Sequence, residues 1–155
     1  MDGARGPVAG VDVTATSTTD QFGVGTTADY GGATYVYCRG TGTIAAATNV
    51  AISGLGTYVV TASGAAGHVF GIARTALTGS LYGWVAVRGY VPNASVGASV
   101  AAGDLLGLIT DGSGDMITVA AVAESGSTAH AIGAQNVRAI ALEADTDTVG
   151  DVFLL

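Results

Sequence analysis

Two short acidic runs come closest to a cation site in residue type and spacing. Asp111-Gly-Ser113-Gly-Asp115 sets oxygen ligands at alternate positions, as the opening of an EF-hand loop does. It lacks the distal bidentate glutamate and the flanking helical pattern. Glu143-Ala-Asp145-Thr-Asp147 alternates acids in the same way. Solvated turns, where Asp and Gly take positive φ or form Asx hydrogen bonds, account for both runs without a metal; Ca²⁺ binding by either stays open. Gly23-Val24-Gly25 with Ala28 is the nearest approach to a dinucleotide fingerprint, but no strand precedes it and no helix pattern follows, so it reads as a loop. His68 and His130 stand in Gly- and Ser-rich surroundings where no spacing selects a serine or metal partner. Cys38 is beside Arg39, which would lower a thiol pKa only if the side chains met. As strand neighbours they point to opposite faces, and Cys38 reads as a small buried hydrophobe. Tyr82, Trp84 and Tyr90 are expected on one strand face, as a core, a subunit seam or a glycan platform, with core or seam favoured. There is no G-x-S-x-G, H-E-x-x-H, Walker loop or C-x-x-C. No catalytic, cofactor-binding or metal-ligating residue is therefore assigned, and no cofactor is expected.

Composition narrows the partners. Five basic residues, all arginine and scattered singly, stand against 12 acidic ones in 155, for a net charge of −7. Nucleic-acid binding needs clustered Lys/Arg to neutralise phosphates, and so does an anionic membrane surface; neither partner is expected. No apolar run approaches the roughly 18–20 residues of a membrane span, and residues 1–16 show no apolar signal-peptide core. A single cysteine excludes an intrachain disulfide. Charged residues are 11% of the chain, against about 25% in ordinary globular proteins, while hydrophobic residues are 49%. Such a surface is expected to meet other protein.

The elements that would carry these residues are short and β-rich. Strands are expected at Ala33–Arg39, Asn49–Ser53, Thr57–Ala62, Val69–Arg74, Tyr82–Tyr90, Leu105–Thr110, Asp115–Glu124, Val137–Glu143 and Asp151–Leu155. Gly-, Ser- and Asp-rich turns separate them, about 8–12 residues apart in the manner of a small β-barrel or β-sandwich. Ile117–Glu124 and Val137–Ala144 also admit a helix, but β-branched content favours strand. Around Trp84-Val85-Ala86-Val87, alternation puts Trp84 and Ala86 on one face and the valines on the other. A weak repeat relates Ile44-Ala-Ala46 and Val50 to Val100-Ala-Ala102 and Leu106, an offset of 56. It also relates Gly71-Ile-Ala73 and Gly83–Val87 to Ala139-Ile-Ala141 and Gly150–Leu154, at offsets of 67–68. Two such units closing on each other would form one barrel without open edges. Residues 1–19 read as an extended arm, ordered only where something receives it, and 20–155 as the β domain.

Val69-Phe-Gly-Ile-Ala73, a short loop and Tyr82-Gly-Trp-Val-Ala-Val-Arg-Gly89 together resemble a recurrent signature of tailed-bacteriophage capsid decoration (head-stabilising, or cement) proteins. So do Val100-Ala-Ala-Gly-Asp-Leu-Leu106, Arg138-Ala-Ile-Ala-Leu-Glu-Ala144 and the apolar end Val152-Phe-Leu-Leu155, with Tyr35-Val-Tyr37 in the expected order before them. The likeness covers about residues 30–155 and rests on order and spacing. It implies a β-rich, non-enzymatic protein made in the host cytoplasm and bound to the virion exterior, commonly as a homotrimer bridging neighbouring major capsid proteins. A tail-fibre, spike or adhesin module using Tyr82, Trp84 and Tyr90 for glycan is the alternative, and a hydrolase with a site assembled across subunits a distant third.

Overall fold

A computed structural model describes residues 10–53, 56–62, 69–108, 116–118, 137–144 and 147–155. These hold ten strands and no helix: β1 (Thr27–Tyr30), β2 (Ala33–Gly40), β3 (Asn49–Ser53), β4 (Val59–Ala62), β5 (Val69–Ala73), β6 (Tyr82–Ser95), β7 (Leu105–Leu108), β8 (Met116–Thr118), β9 (Val137–Ala141) and β10 (Val149–Leu154). The chain is all-β, as its turn spacing predicts. Of the two stretches that also admitted a helix, Ile117–Thr118 and Val137–Ala141 are strand, Leu142–Ala144 follow β9 as non-helical chain, and residues 119–136 lie outside the described residues. β1 was not anticipated. β6 runs on through Ser95, and β10 begins at Val149 rather than Asp151.

The strands join in the order β1-β2-β4-β3-β5-β6-β10-β9-β7-β8, with β2 also pairing β6. That extra pairing closes a ring. β2 meets β6 antiparallel along one edge and β4 in parallel on the other, at Arg39↔Val59 and Gly40↔Val60. β4–β3–β5–β6 complete the circuit. A second circuit runs β6–β10–β9–β7–β8 and returns to Val96, the residue after β6, through the isolated parallel bridge Val96↔Met116.

The two circuits share many strand pairs at the expected offsets, with register shifts in the second at Leu106/Gly107 and Gly150/Val152. Val50↔Ala62 in the first becomes Leu106↔Thr118 in the second, 56 residues on. Asn49↔Ile72 becomes Leu105↔Ile140. Ile72↔Ala86 and Ala73↔Val85 become Ile140↔Phe153 and Ala141↔Val152. Loop hydrogen bonds repeat too: Ala47 N–H to Ala73 O (2.8 Å) and Ala73 N–H to Thr48 O (3.0 Å) recur as Gly103 N–H to Ala141 O (2.8 Å) and Ala141 N–H to Asp104 O (2.9 Å). The sequence repeat is thus a structural duplication, but its mode of closure differs from expectation. Each unit closes on itself and the two share β6, because β2 already has partners on both edges and leaves none for the second unit.

Cys38, Ile44, Val50, Val60, Ala73 and Val85 form one buried cluster, contributed by all five strands of the first ring and the β2–β3 loop. Their counterparts Ala94, Val100, Leu106, Met116, Ala141 and Val152 belong to the other. Burying each Val, Leu, Ile or Met contributes roughly 1.5–3 kcal/mol relative to leaving it in water. Trp84, Ala86, Tyr35 and Tyr37, on the opposite face of β6 and β2, fall in the second cluster with the second unit. The alternation read around Trp84 therefore holds.

β6 changes face in its middle. Arg88 and Ala86 oppose Thr34 and Tyr35, so Val87 is an extra residue in the pairing. One inserted residue moves every later side chain to the other face. After it, Val91 rather than Tyr90 joins Trp84 and Ala86 in the buried cluster. Tyr90 consequently does not share the face of Tyr82 and Trp84, correcting the period-2 reading. Gly89 follows at φ +91, with its α-carbon against the Gly32 carbonyl.

Residues 10–19, expected to need a receiver, have one in this chain. Val13 is buried in the core, with Val11 and Phe22 packed against the same cluster. Ser17 and Tyr82 exchange backbone hydrogen bonds of 3.0 and 2.8 Å.

Candidate interaction face

The second ring turns Val152 and Leu154 inward, which sends Phe153 outward. Its cross-strand neighbours on that face are Tyr90 on β6 and Ile140 on β9, and Ile140 opposes Leu105 on β7. Four strands thus align Leu105, Ile140, Phe153 and Tyr90 in one row. Leu142, two residues after Ile140, is tied beside it by its N–H to Asp151 O at 2.8 Å. Leu105 and Phe153 on the sheet and Leu142 just past β9 are 47%, 42% and 48% exposed.

A polar border holds one end of the row. The Tyr90 hydroxyl donates to Asp151 Oδ2, whose other oxygen accepts from Asn93 N–H at 3.0 Å. Asp151 N–H donates to Glu143 Oε1 at 3.2 Å, and Arg74 Nη1 to Pro92 O at 3.2 Å. The hydrogen bond to Asp151 raises the Tyr90 pKa, helped by burial and the nearby carboxylates of Asp151 and Glu143 and opposed by Arg74. These polar groups orient one another. What the apolar row can do is bury itself: a single Phe removes about 150–250 Å² from water when covered.

The residues singled out by sequence fall elsewhere. Cys38 is fully buried and its thiol is pushed up to about 12 by desolvation, while Arg39 points out to Ser80 Oγ (3.1 Å) and over the Tyr82 ring (5.9 Å). The two side chains diverge, as strand geometry predicts. Trp84 is 1% exposed, ringed by Phe22 (5.5 Å between centroids) and Tyr37 (5.0 Å), with Tyr82 stacked on Tyr37 at 6.0 Å. A glycan platform needs an open ring face, and the Trp84 indole offers none. The Gly23–Gly25 loop spends its amides inside the fold, Gly23 N–H on Asp20 Oδ1 (2.7 Å) and Gly25 N–H on Tyr37 O (2.8 Å), and leads into a strand. His68, His130, Asp111, Asp115 and Asp145 lie outside the described residues. Glu143 and Asp147 are described, and among the described residues no group of three or more His, Cys, Asp or Glu could hold a metal ion. No helix among them is long and apolar enough to cross a membrane.

Sequence reasoning passed over the Leu105–Phe153 row. The signal was present: Leu105-Leu106 and Val152-Phe-Leu-Leu155 put apolar residues on both faces of their strands, which marks a strand covered twice. The chain matches no family model, and no curated protein matches it.

Proposed function

We propose that this chain is a non-enzymatic decoration (cement) protein of a tailed-bacteriophage capsid, held as a trimer on the outside of the head and bridging neighbouring major capsid proteins. The observation that carries the reading is the exposed apolar row on a scaffold poor in charge, a surface suited to burial against protein. The stretches that resemble the decoration signature coincide with the duplicated elements: β5, the first half of β6, the turn into β7, β9 and β10. The function requires binding alone. Packaged DNA pushes outward on the shell, and a ligand of the assembled lattice that does not bind its dissociated subunits stabilises it by mass action. A bridging trimer also gains from high effective concentration once one subunit has docked.

Quantitative mass spectrometry of purified particles from the source phage tests this directly. A ratio near one copy per major capsid subunit is expected. A handful of copies per particle would favour the tail-fibre or spike reading instead, and absence from the particle would reject a virion role.

A further inference from the structure

We infer that charges on its two flanks give the exposed apolar row a direction. It receives a patch of the major capsid protein whose apolar centre lies between a basic side chain, toward Asp151 and Glu143, and an acidic one, toward Arg88. The inference rests on the capsid reading and adds to it the chemistry and orientation of the contact. Leu105, Ile140 and Phe153 alone are the same for a partner arriving either way round. Nor can one row of partly exposed side chains reach the roughly 800 Å² per partner of a standard interface, when even a fully covered Phe contributes about 150–250 Å². The footprint therefore spreads to the strand positions on either side of the row.

The strand register sorts the charges onto opposite flanks. Phe153 pairs with Tyr90, Leu154 with Gly89 and Val152 with Val91. Asp151 therefore lies on one side of the row, and exposed Arg88 on the other. Leu105 pairs with Ile140, which puts Asp104 and Glu143 on the Asp151 side. Ala141 N–H donates to Asp104 O at 2.9 Å, and Asp151 N–H to Glu143 Oε1 at 3.2 Å. Arg74 also stands near this flank, where it opposes the rise in the Tyr90 pKa, but its Nη1 is spent on the Pro92 carbonyl at 3.2 Å. Asp104, Glu143 and Asp151 against Arg74 leave the flank negative.

Charges at the rim of a contact act on encounter and on register more than on final affinity. A partner with a basic group at the acidic flank and an acidic group at Arg88 is attracted at both in one orientation and repelled at both in the reverse. Burial of the row supplies affinity, and the flanks select which way round the partner sits. A protein that bridges a symmetric lattice needs that selection, because every subunit must present the same patch at the same rotation.

The test is the rate at which the full chain binds purified source-phage heads assembled without it, for wild type, Glu143→Lys and Arg88→Glu, at low and high salt. At about 0.01 M salt, where charges act over about 30 Å, each variant should associate about tenfold more slowly than wild type. At about 1 M, where that range is about 3 Å, the three rates should converge. Glu143 and Arg88 are exposed, and both variants should keep the wild-type circular dichroism. Should Glu143→Lys fail to fold, Glu143→Gln decides: it keeps an acceptor for Asp151 N–H and should still associate more slowly than wild type at low salt. Either variant as fast as wild type at low salt, or slowed equally at both salts, would overturn this inference and leave the proposed function standing. Heads that do not bind the wild-type chain would refute the proposed function and, with it, this contact.

Discussion

Gly89 is where β6 passes from one ring to the other, and replacing it with alanine should disturb both. Two costs add. The residue sits at φ +91, a conformation L side chains rarely adopt, for roughly 1–2 kcal/mol. Its new Cβ would also overlap the Gly32 carbonyl oxygen and crowd the Ala33 α-carbon, both rigid backbone, adding about 1–3 kcal/mol of overpacking strain. Gly103 separates the terms: its φ is +89, and a Cβ there meets nothing within 4 Å. Its counterpart in the first unit is already an alanine, Ala47 at φ +63. Gly103→Ala should therefore cost only the backbone strain, and Gly89→Ala about 1–3 kcal/mol more. At about 2–4 °C per kcal/mol for a chain of this size, Gly89→Ala should melt roughly 2–12 °C below Gly103→Ala, read by calorimetry or circular dichroism. Equal melting temperatures would refute the claim that β6 and the β1–β2 turn are in steric contact at this joint.

Val13→Ala should destabilise by about 1.5–2.5 kcal/mol in denaturant melts, because Val13 is a core residue and loses two buried methyl groups plus a small cavity; a change below about 0.5 kcal/mol would mean residues 10–19 are not seated. Deleting Val152–Leu155 removes inward-facing Val152 and Leu154 from a strand that pairs on both edges, so no soluble folded chain should be recovered; a cooperative melt from the truncated protein would contradict the pairing of β10. The native Cys38 thiol should resist a thiol reagent at neutral pH and react on unfolding, and rapid native labelling would show it is not enclosed. Its folded pKa is raised from 9.0 to about 12, so the folded state holds the proton longer. That stabilisation is complete below about pH 9 and is lost as pH rises toward 12. The wild-type melting temperature should consequently fall more steeply across that window than that of Cys38→Ala, and parallel curves would count against the assignment.

Much of this molecule can be read from local pattern. Alternation at Trp84-Val85-Ala86-Val87 assigns the faces of β6 because the pleat has a period of two wherever pairing is regular. Matching stretches at offsets of 56 and 67–68 announce two related units, since similar residues at similar spacing fold into similar hairpins. The divergence of Cys38 and Arg39 follows from the same geometry. Tertiary structure decided what these rules leave out. One extra residue at Val87 reverses the faces beyond it, and no composition marks it, so Tyr90 leaves the side of Trp84. Ring closure depends on β2 meeting β4 and β6 across loops of the chain, a nonlocal choice that no local window contains. Whether an apolar face is inside or outside is decided by what lies over it: Ile72 and its pairing partner Ala86 are buried, while Phe153, the duplicate of Ala86, is 42% exposed, and the local pattern of the strands does not tell the two cases apart.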